Sequence, residues 1–318
     1  LRSFLIPAFL SLLAGGAGAQ GLQPVNGTKL FVHELGRGEV VIVVHGGPGM
    51  NFSYLLPHIE PLAKSMKLVL YDQRGSGKSL TPAADSMHLS FHIRDIDAIR
   101  KSYGVDKVHL MGHSWGAFLA VTYGVYYPDH VKSLILVNPT PLSAEYSQQT
   151  AAEQKKRWTP KDSIDRAEIV SSAAFKSGKA DAYENLLRLS FRHAFYHEDN
   201  FKKLKIELPD NYKIASQALF SGLSKDLTTY DYYGSINGFR FPMMLIHGTY
   251  DATPLQAIER IHSSVGTSVL TVYEASGHFA FIEENERFTQ DIRAWVRSKS
   301  AVRRYAPEKT PSRQKARR

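Results

Sequence analysis

Ser114, Asp251 and His278 are the residues whose types and placement could together do covalent chemistry. A serine hydroxyl is a weak nucleophile at neutral pH. It becomes reactive when an imidazole takes its proton, and that imidazole needs a carboxylate to fix its tautomer and stabilise its charge. The sequence supplies each group just past a strand-like run: Ser114 in Gly112-His113-Ser114-Trp115-Gly116, Asp251 in GTYDATP at 248–254, and His278 in SGHF at 276–279. An apolar run at 108–111 enters the serine motif and an apolar helical pattern leaves it, which is the strand–turn–helix setting G-x-S-x-G needs. Glycine is required on both sides because a side chain there would clash with the neighbouring strand and helix. The glycine-dense run His45-Gly46-Gly47-Pro48-Gly49 follows another apolar strand and can turn backbone N–H groups toward a ligand. An acyl-transfer centre wants one oxyanion donor from such a loop and one from the residue after the nucleophile, so Gly47 and Trp115 are the expected donors.

Stepping from these residues to what must hold them, strand patterns are expected at 29–35, 40–44, 67–71, 108–111, 133–137, 242–247 and 268–273. Helical patterns are expected at 54–65, 90–103, after 115, and at 286–299. Strands alternating with helices imply an α/β fold with a mostly parallel sheet and right-handed crossovers. In such a sheet the strands' C-terminal ends share one edge, so Ser114, Asp251 and His278 should converge there. The alternation lapses over residues 141–241, which are helical, charged and aromatic (Phe191, Phe195, Tyr196, Phe201, Tyr230, Tyr232, Tyr233). This stretch is expected to be a helical cap lying over the serine, inserted between a first core part, 20–140, and a second, 242–298. Most of its aromatics are expected to pack the cap itself.

Composition excludes several classes. With no cysteine there is no disulfide framework, thiolate metal site or cysteine nucleophile. The net charge of +9 is concentrated in residues 299–318, where eight Lys and Arg stand against Glu308 alone. That segment is expected to be a disordered basic tail, and nucleic acid is not an expected partner. Residues 1–19 carry one arginine, a short apolar core and Ala17-x-Ala19, the pattern of a signal peptide cut after Ala19. The protein is therefore expected to be exported, periplasmic or secreted. The apolar stretch is shorter than the roughly 20 residues that span a bilayer, so no stable membrane anchor is expected. Asp72-Gln73-Arg74-Gly75-Ser76-Gly77-Lys78-Ser79 echoes a phosphate loop, but Asp72 stands where its first glycine belongs. Asp72 and Arg74 are read as a turn-stabilising pair. His45, His113 and His278 lack the i, i+4 pairing of a zinc helix, so no metal and no cofactor are expected.

The runs HGGPGM at 45–50, DQRGSGKS at 72–79, GHSWGA at 112–117, GTYDATP at 248–254 and SGHF at 276–279 together resemble the proline iminopeptidase-like serine hydrolases of the α/β-hydrolase fold. The resemblance extends over residues 28–298. It implies an acyl-enzyme mechanism and release of an N-terminal residue, often proline, from a small peptide. Two departures bear on the substrate. The family's Asn-Glu-Phe triplet in the cap is absent, and Ala252 stands where some members place a glutamate after the catalytic aspartate. The cap acids Glu184, Glu198 and Glu207 are not aimed at the site by anything in the sequence. A broad-specificity carboxylesterase acting on small esters is therefore the alternative, and a non-enzymatic binding protein the more distant one.

Overall fold

The computed structural model describes residues 20–301. The proposed leader at 1–19 and the tail beyond 301 lie outside the described residues. Eight strands form one sheet: β1 (Gln20–Val25), β2 (Thr28–Leu35), β3 (Val40–Val44), β4 (Lys67–Tyr71), β5 (Val108–His113), β6 (Val131–Val137), β7 (Met243–Gly248) and β8 (Ser268–Tyr273). Their spatial order is β1-β2-β4-β3-β5-β6-β7-β8. β1 and β2 pair antiparallel, and β2 runs antiparallel to β4. From β4 to β8 every pairing is parallel. This is the mostly parallel α/β sheet that the alternation implied.

The central strands carry apolar residues on both faces because helices cover both. In β3, Ile42 and Val44 join a core layer with Leu110, Phe118 and Ile96, while Val41 and Val43 join the opposite layer with Met111, Phe288 and Ile292. Helices Leu89–Ser102, Trp115–Tyr126 and Leu255–Ser264 supply the first layer; helix Asn285–Ala301 closes the second. Each such valine or isoleucine, buried completely, contributes about 1.5–3 kcal/mol.

Between β6 and β7 the chain leaves the sheet and forms helices Ala144–Lys156, Pro160–Ser171, Ala173–Ser177, Ala180–Phe191 and Tyr212–Thr228. Thr159 opens the second of these with a capping box closed by Asp162.

Several boundaries differ from the sequence expectation. β1 was not foreseen. The expected helix at 54–65 is instead a series of short turns, Phe52–Tyr54, Leu56–Ile59 and Glu60–Lys64, with Pro57 and Pro61 opening the last two. Each proline lacks the N–H that would continue the preceding helix. The last helix runs to Ala301, past the expected start of the tail at 299. Asp72 and Arg74 do not pair with each other. Asp72 accepts from the backbone N–H groups of Lys78 (2.8 Å) and Phe52 (3.2 Å). Arg74 is buried and forks onto Asp95, with Nε 2.7 Å from Oδ2.

Candidate active site

β5 ends at His113, and Ser114 sits on the turn into helix Trp115–Tyr126 with φ 54° and ψ −121°. A positive φ is costly for a residue with a side chain and persists only where its surroundings over-determine it. Here the two glycines do so. A Cβ on Gly112 would lie 2.3 Å from the Gly116 carbonyl oxygen, and one on Gly116 would lie 2.0 Å from that of Val44. The strand, the turn and the helix can therefore close on one another only with glycine at both places.

The other two residues arrive on the same edge. Asp251 follows β7 and His278 follows β8. The His278 ring donates from Nδ1 to Asp251 Oδ2 at 2.9 Å. Asp251 is buried, and its carboxylate takes two further donors: Asn138 Nδ2 on Oδ2 at 2.8 Å and the Thr253 N–H on Oδ1 at 3.0 Å. Burial alone would raise the Asp251 pKa. The His278 ring and the hydrogen bond from Thr253 outweigh it and hold the carboxyl well below the usual range. Asp251 is thus an anion at any working pH, and it leaves the far nitrogen of His278 as the available base.

Ser114 and His278 line one cavity of about 230 Å³, together with Gly46, Gly47, Met50, Thr140, Phe191 and Phe279. Gly47, expected from the sequence as an oxyanion donor, is thus among the lining residues. Trp115 opens its helix, so its backbone N–H has no acceptor within that helix. Its indole points away into the core and stacks on Phe118. From the cap, helix Ala144–Lys156 presents Ser147, Thr150, Ala151 and Gln154 to the cavity, an i, i+3, i+4, i+7 face. Of the cap aromatics named from the sequence, only Phe191 is among the residues lining it. Phe195 stacks on Phe279, and Tyr230 and Tyr232 pack edge-on against Phe118. Glu184 caps the Leu208 N–H, and among the described residues no carboxylate lines this cavity.

Beneath the cavity runs a chain of neutral hydrogen bonds. The Gly46 N–H donates to Tyr54 Oη (2.7 Å), Tyr54 donates to His113 Nδ1 (2.7 Å), and His113 Nε2 donates to the His278 carbonyl (2.9 Å). Burial lowers the His113 pKa to about 3 and pushes that of Tyr54 well above the usual phenol range, so both stay uncharged and one set of donor directions satisfies every atom. These bonds tie together the glycine loop, the serine turn and the histidine loop. Tyr54 and Asn138 were missed as site residues. Asn138 had a signal: it directly follows the apolar run of β6, on the same sheet edge as Ser114.

Residues 39–285 match the α/β hydrolase fold family. A proline iminopeptidase of Heyndrickxia coagulans is 30% identical over 274 residues, covering 83% of this chain and 93% of that one. The chain belongs to the proline iminopeptidase-like α/β hydrolases. Among solved α/β hydrolases, a proline iminopeptidase from Mycobacterium smegmatis superposes with a TM-score of 0.67 at 18% identity, covering 90% of this chain and 100% of that one. A putative aryl esterase from Burkholderia cenocepacia superposes with a TM-score of 0.66 at 23% identity, covering 89% and 100%. Membership makes the protein a hydrolase, and the two superpositions speak for its fold.

Proposed function

We propose that this hydrolase cleaves a small carboxylic amide or ester through an acyl-Ser114 intermediate. His278 takes the Ser114 proton as Oγ attacks the substrate carbonyl. The resulting oxyanion is held by the backbone N–H groups of Gly47 and Trp115. His278 then protonates the leaving amine or alcohol. A water attacks the acyl-enzyme with His278 as base, releasing the acid and restoring Ser114. Asp251, itself oriented by Asn138, holds the imidazole in the required tautomer. One observation carries the proposal: the 2.9 Å bond between Asp251 and a His278 that shares its cavity with Ser114.

The names of the relatives support release of an N-terminal residue from a small peptide as the finer reading. A carboxylesterase is the second reading, favoured by the neutral lining of Ser147, Thr150 and Gln154. A protonated amine would enter that cavity with no carboxylate partner, at a desolvation cost of several kcal/mol. Export is part of the same proposal. Among the described residues the sheet begins at Gln20, the residue that would open the mature chain. N-terminal sequencing of the mature protein that does not begin at Gln20 would count against the cleavage site.

The test of the chemistry is Ser114→Ala assayed on prolyl-naphthylamide and on a short-chain nitrophenyl ester. Both activities should fall to at most about 10³–10⁴-fold over the uncatalysed rate. A rate near that of the parent protein on either substrate refutes the serine mechanism. In the parent protein, a strong preference for the free-amine substrate supports the peptidase reading, and a preference for the ester supports the esterase reading.

A further inference from the structure

The run DQRGSGKS at 72–79 has no part in the chemistry above, yet its glutamine lies directly behind the glycine loop. Gln73 is buried, and every polar atom of its side chain is engaged. Its Nε2 donates to the His45 carbonyl at 2.7 Å, and its Oε1 accepts from the Trp115 indole at 3.0 Å. Its backbone N–H donates to His45 Nε2 at 3.0 Å, which leaves the proton of His45 on Nδ1, where it donates to the Gly46 carbonyl at 2.7 Å. Burial lowers the His45 pKa to about 4, so this tautomer holds at neutral pH.

The consequence follows from peptide geometry. The Gly46 C=O and the Gly47 N–H belong to one planar unit, and in a trans peptide they point in opposite directions. Among the described residues the cis bond in this loop is Gly47-Pro48, so the Gly46-Gly47 unit is trans. Turning the Gly46 oxygen inward onto the His45 ring therefore turns the Gly47 N–H outward, on the side where Gly47 lines the cavity. The preceding peptide is fixed at both ends as well, its oxygen by Gln73 and its N–H by Tyr54. On the other side, the indole bond anchors the residue whose own backbone N–H is the second donor.

We infer that Gln73 is the positioning residue of the oxyanion hole, bracing the Gly47 donor through His45 and the Trp115 donor through its indole. This rests on the acyl-Ser114 reading. Gln73 touches no reacting atom. It acts by setting the direction and spacing of two backbone N–H groups, where a displacement of about 1 Å can cost on the order of a hundredfold in rate.

The experiment uses the full chain carrying Gln73→Met, and separately Trp115→Phe, which breaks the same bond from the other side and serves if the first variant does not fold. For Gln73→Met, kcat should fall about tenfold or more with KM little changed. Affinity for an alkyl boronic acid, whose tetrahedral adduct with a serine occupies the oxyanion position, should weaken by a similar factor, while affinity for the product carboxylate should not. Trp115→Phe should show the same pattern in smaller measure. The double variant should be no worse than Gln73→Met alone, because the two changes remove one shared bond. A folded Gln73→Met or Trp115→Phe protein with unchanged kcat and boronate affinity overturns the inference. So does a variant whose losses in boronate and product affinity are equal. If Ser114→Ala retains activity, the acyl-enzyme reading falls and this inference with it; if Ser114→Ala is inactive while Gln73→Met is not impaired, this inference alone falls.

Discussion

The floor of the cavity and the edge where the cap meets the core are held by different kinds of bond. The floor uses buried neutral groups: Tyr54, His113, His45 and Gln73. The cap and its edge use ions, on side chains that are partly exposed apart from the buried Asp162. Arg157 donates to the carbonyls of Tyr250 (2.7 Å) and Asp251 (3.3 Å) and lies over the Tyr250 ring. Within the cap, the partly exposed Arg192 and His193 converge on the buried Asp162 at 2.6 and 2.8 Å. Glu283 accepts from the N–H groups of His197 (3.0 Å) and Gly277 (2.6 Å), joining the cap to the histidine loop. Removing an ion from water costs several kcal/mol, so a fully buried frame is better built from neutral groups that satisfy one another. For Arg157, Arg192 and Glu283, which stay partly exposed, that cost is small, and long charged side chains can adjust as the cap shifts. The contrast assigns rigidity to the floor, where donor direction matters, and tolerance to the cap.

The sharpest way to break this contrast is Tyr54→Phe. It leaves the Gly46 N–H and His113 Nδ1 buried without partners, and each lost partner costs about 1–3 kcal/mol. Urea unfolding should show a loss of roughly 3 kcal/mol in sum; a loss under about 1 kcal/mol would mean that the floor is not held by these bonds.

Acid comes next in size. His45 and His113 are neutral in the fold, with pKa values lowered by burial from 6.5 to about 4 and about 3. Between pH 6.5 and those values the unfolded chain binds more protons than the folded one. Their stabilising effect is therefore complete above pH 6.5 and is lost as pH falls toward 4 and below. Asp162, buried within the cap, behaves differently. Burial alone would raise its pKa, but hydrogen bonds from Thr159 and His193 outweigh it and hold it below the usual range, so it remains ionised over that window. Hydrogen exchange followed from pH 7 to 4 should show protection falling first around Gly46 and His113. Earlier loss at Asp162 would reverse the assignment.

The smallest effect is expected from Arg157→Met, which keeps the aliphatic packing and removes the charge. Thermal unfolding should register about 1 kcal/mol or less, shrinking further as salt is raised. A salt-independent loss several times larger would make the cap edge as rigid as the floor.

Much of the architecture is legible in the amino-acid sequence, because it depends on local pattern. The apolar runs of β3, β4 and β5 mark central parallel strands, and the sheet rule then brings Ser114, Asp251 and His278 to one edge. β1 escaped because an edge strand pairs on one side only, and its Gln20-Gly21-Leu22-Gln23-Pro24-Val25 alternates weakly and contains a proline. The partners of Gln73, Tyr54 and Asn138 escaped for another reason. A polar side chain's partner is set by what the fold brings beside it, and none of these pairs has a sequence period. Asp72 and Arg74 show the same limit: neighbours in the chain with opposite charge, they bind different elements.

The backbone bond from His278 N–H to the Ala194 carbonyl, at 2.8 Å, has a bearing on traffic. Swinging the cap away at that margin would strip the imidazole's own main chain of its anchor, along with the Glu283 tie beside it. Ala151 and Gln154 line the same cavity and are exposed to solvent. A ligand that passes between those two side chains leaves the main-chain anchor of the imidazole in place, so entry does not require the cap to part from the histidine loop.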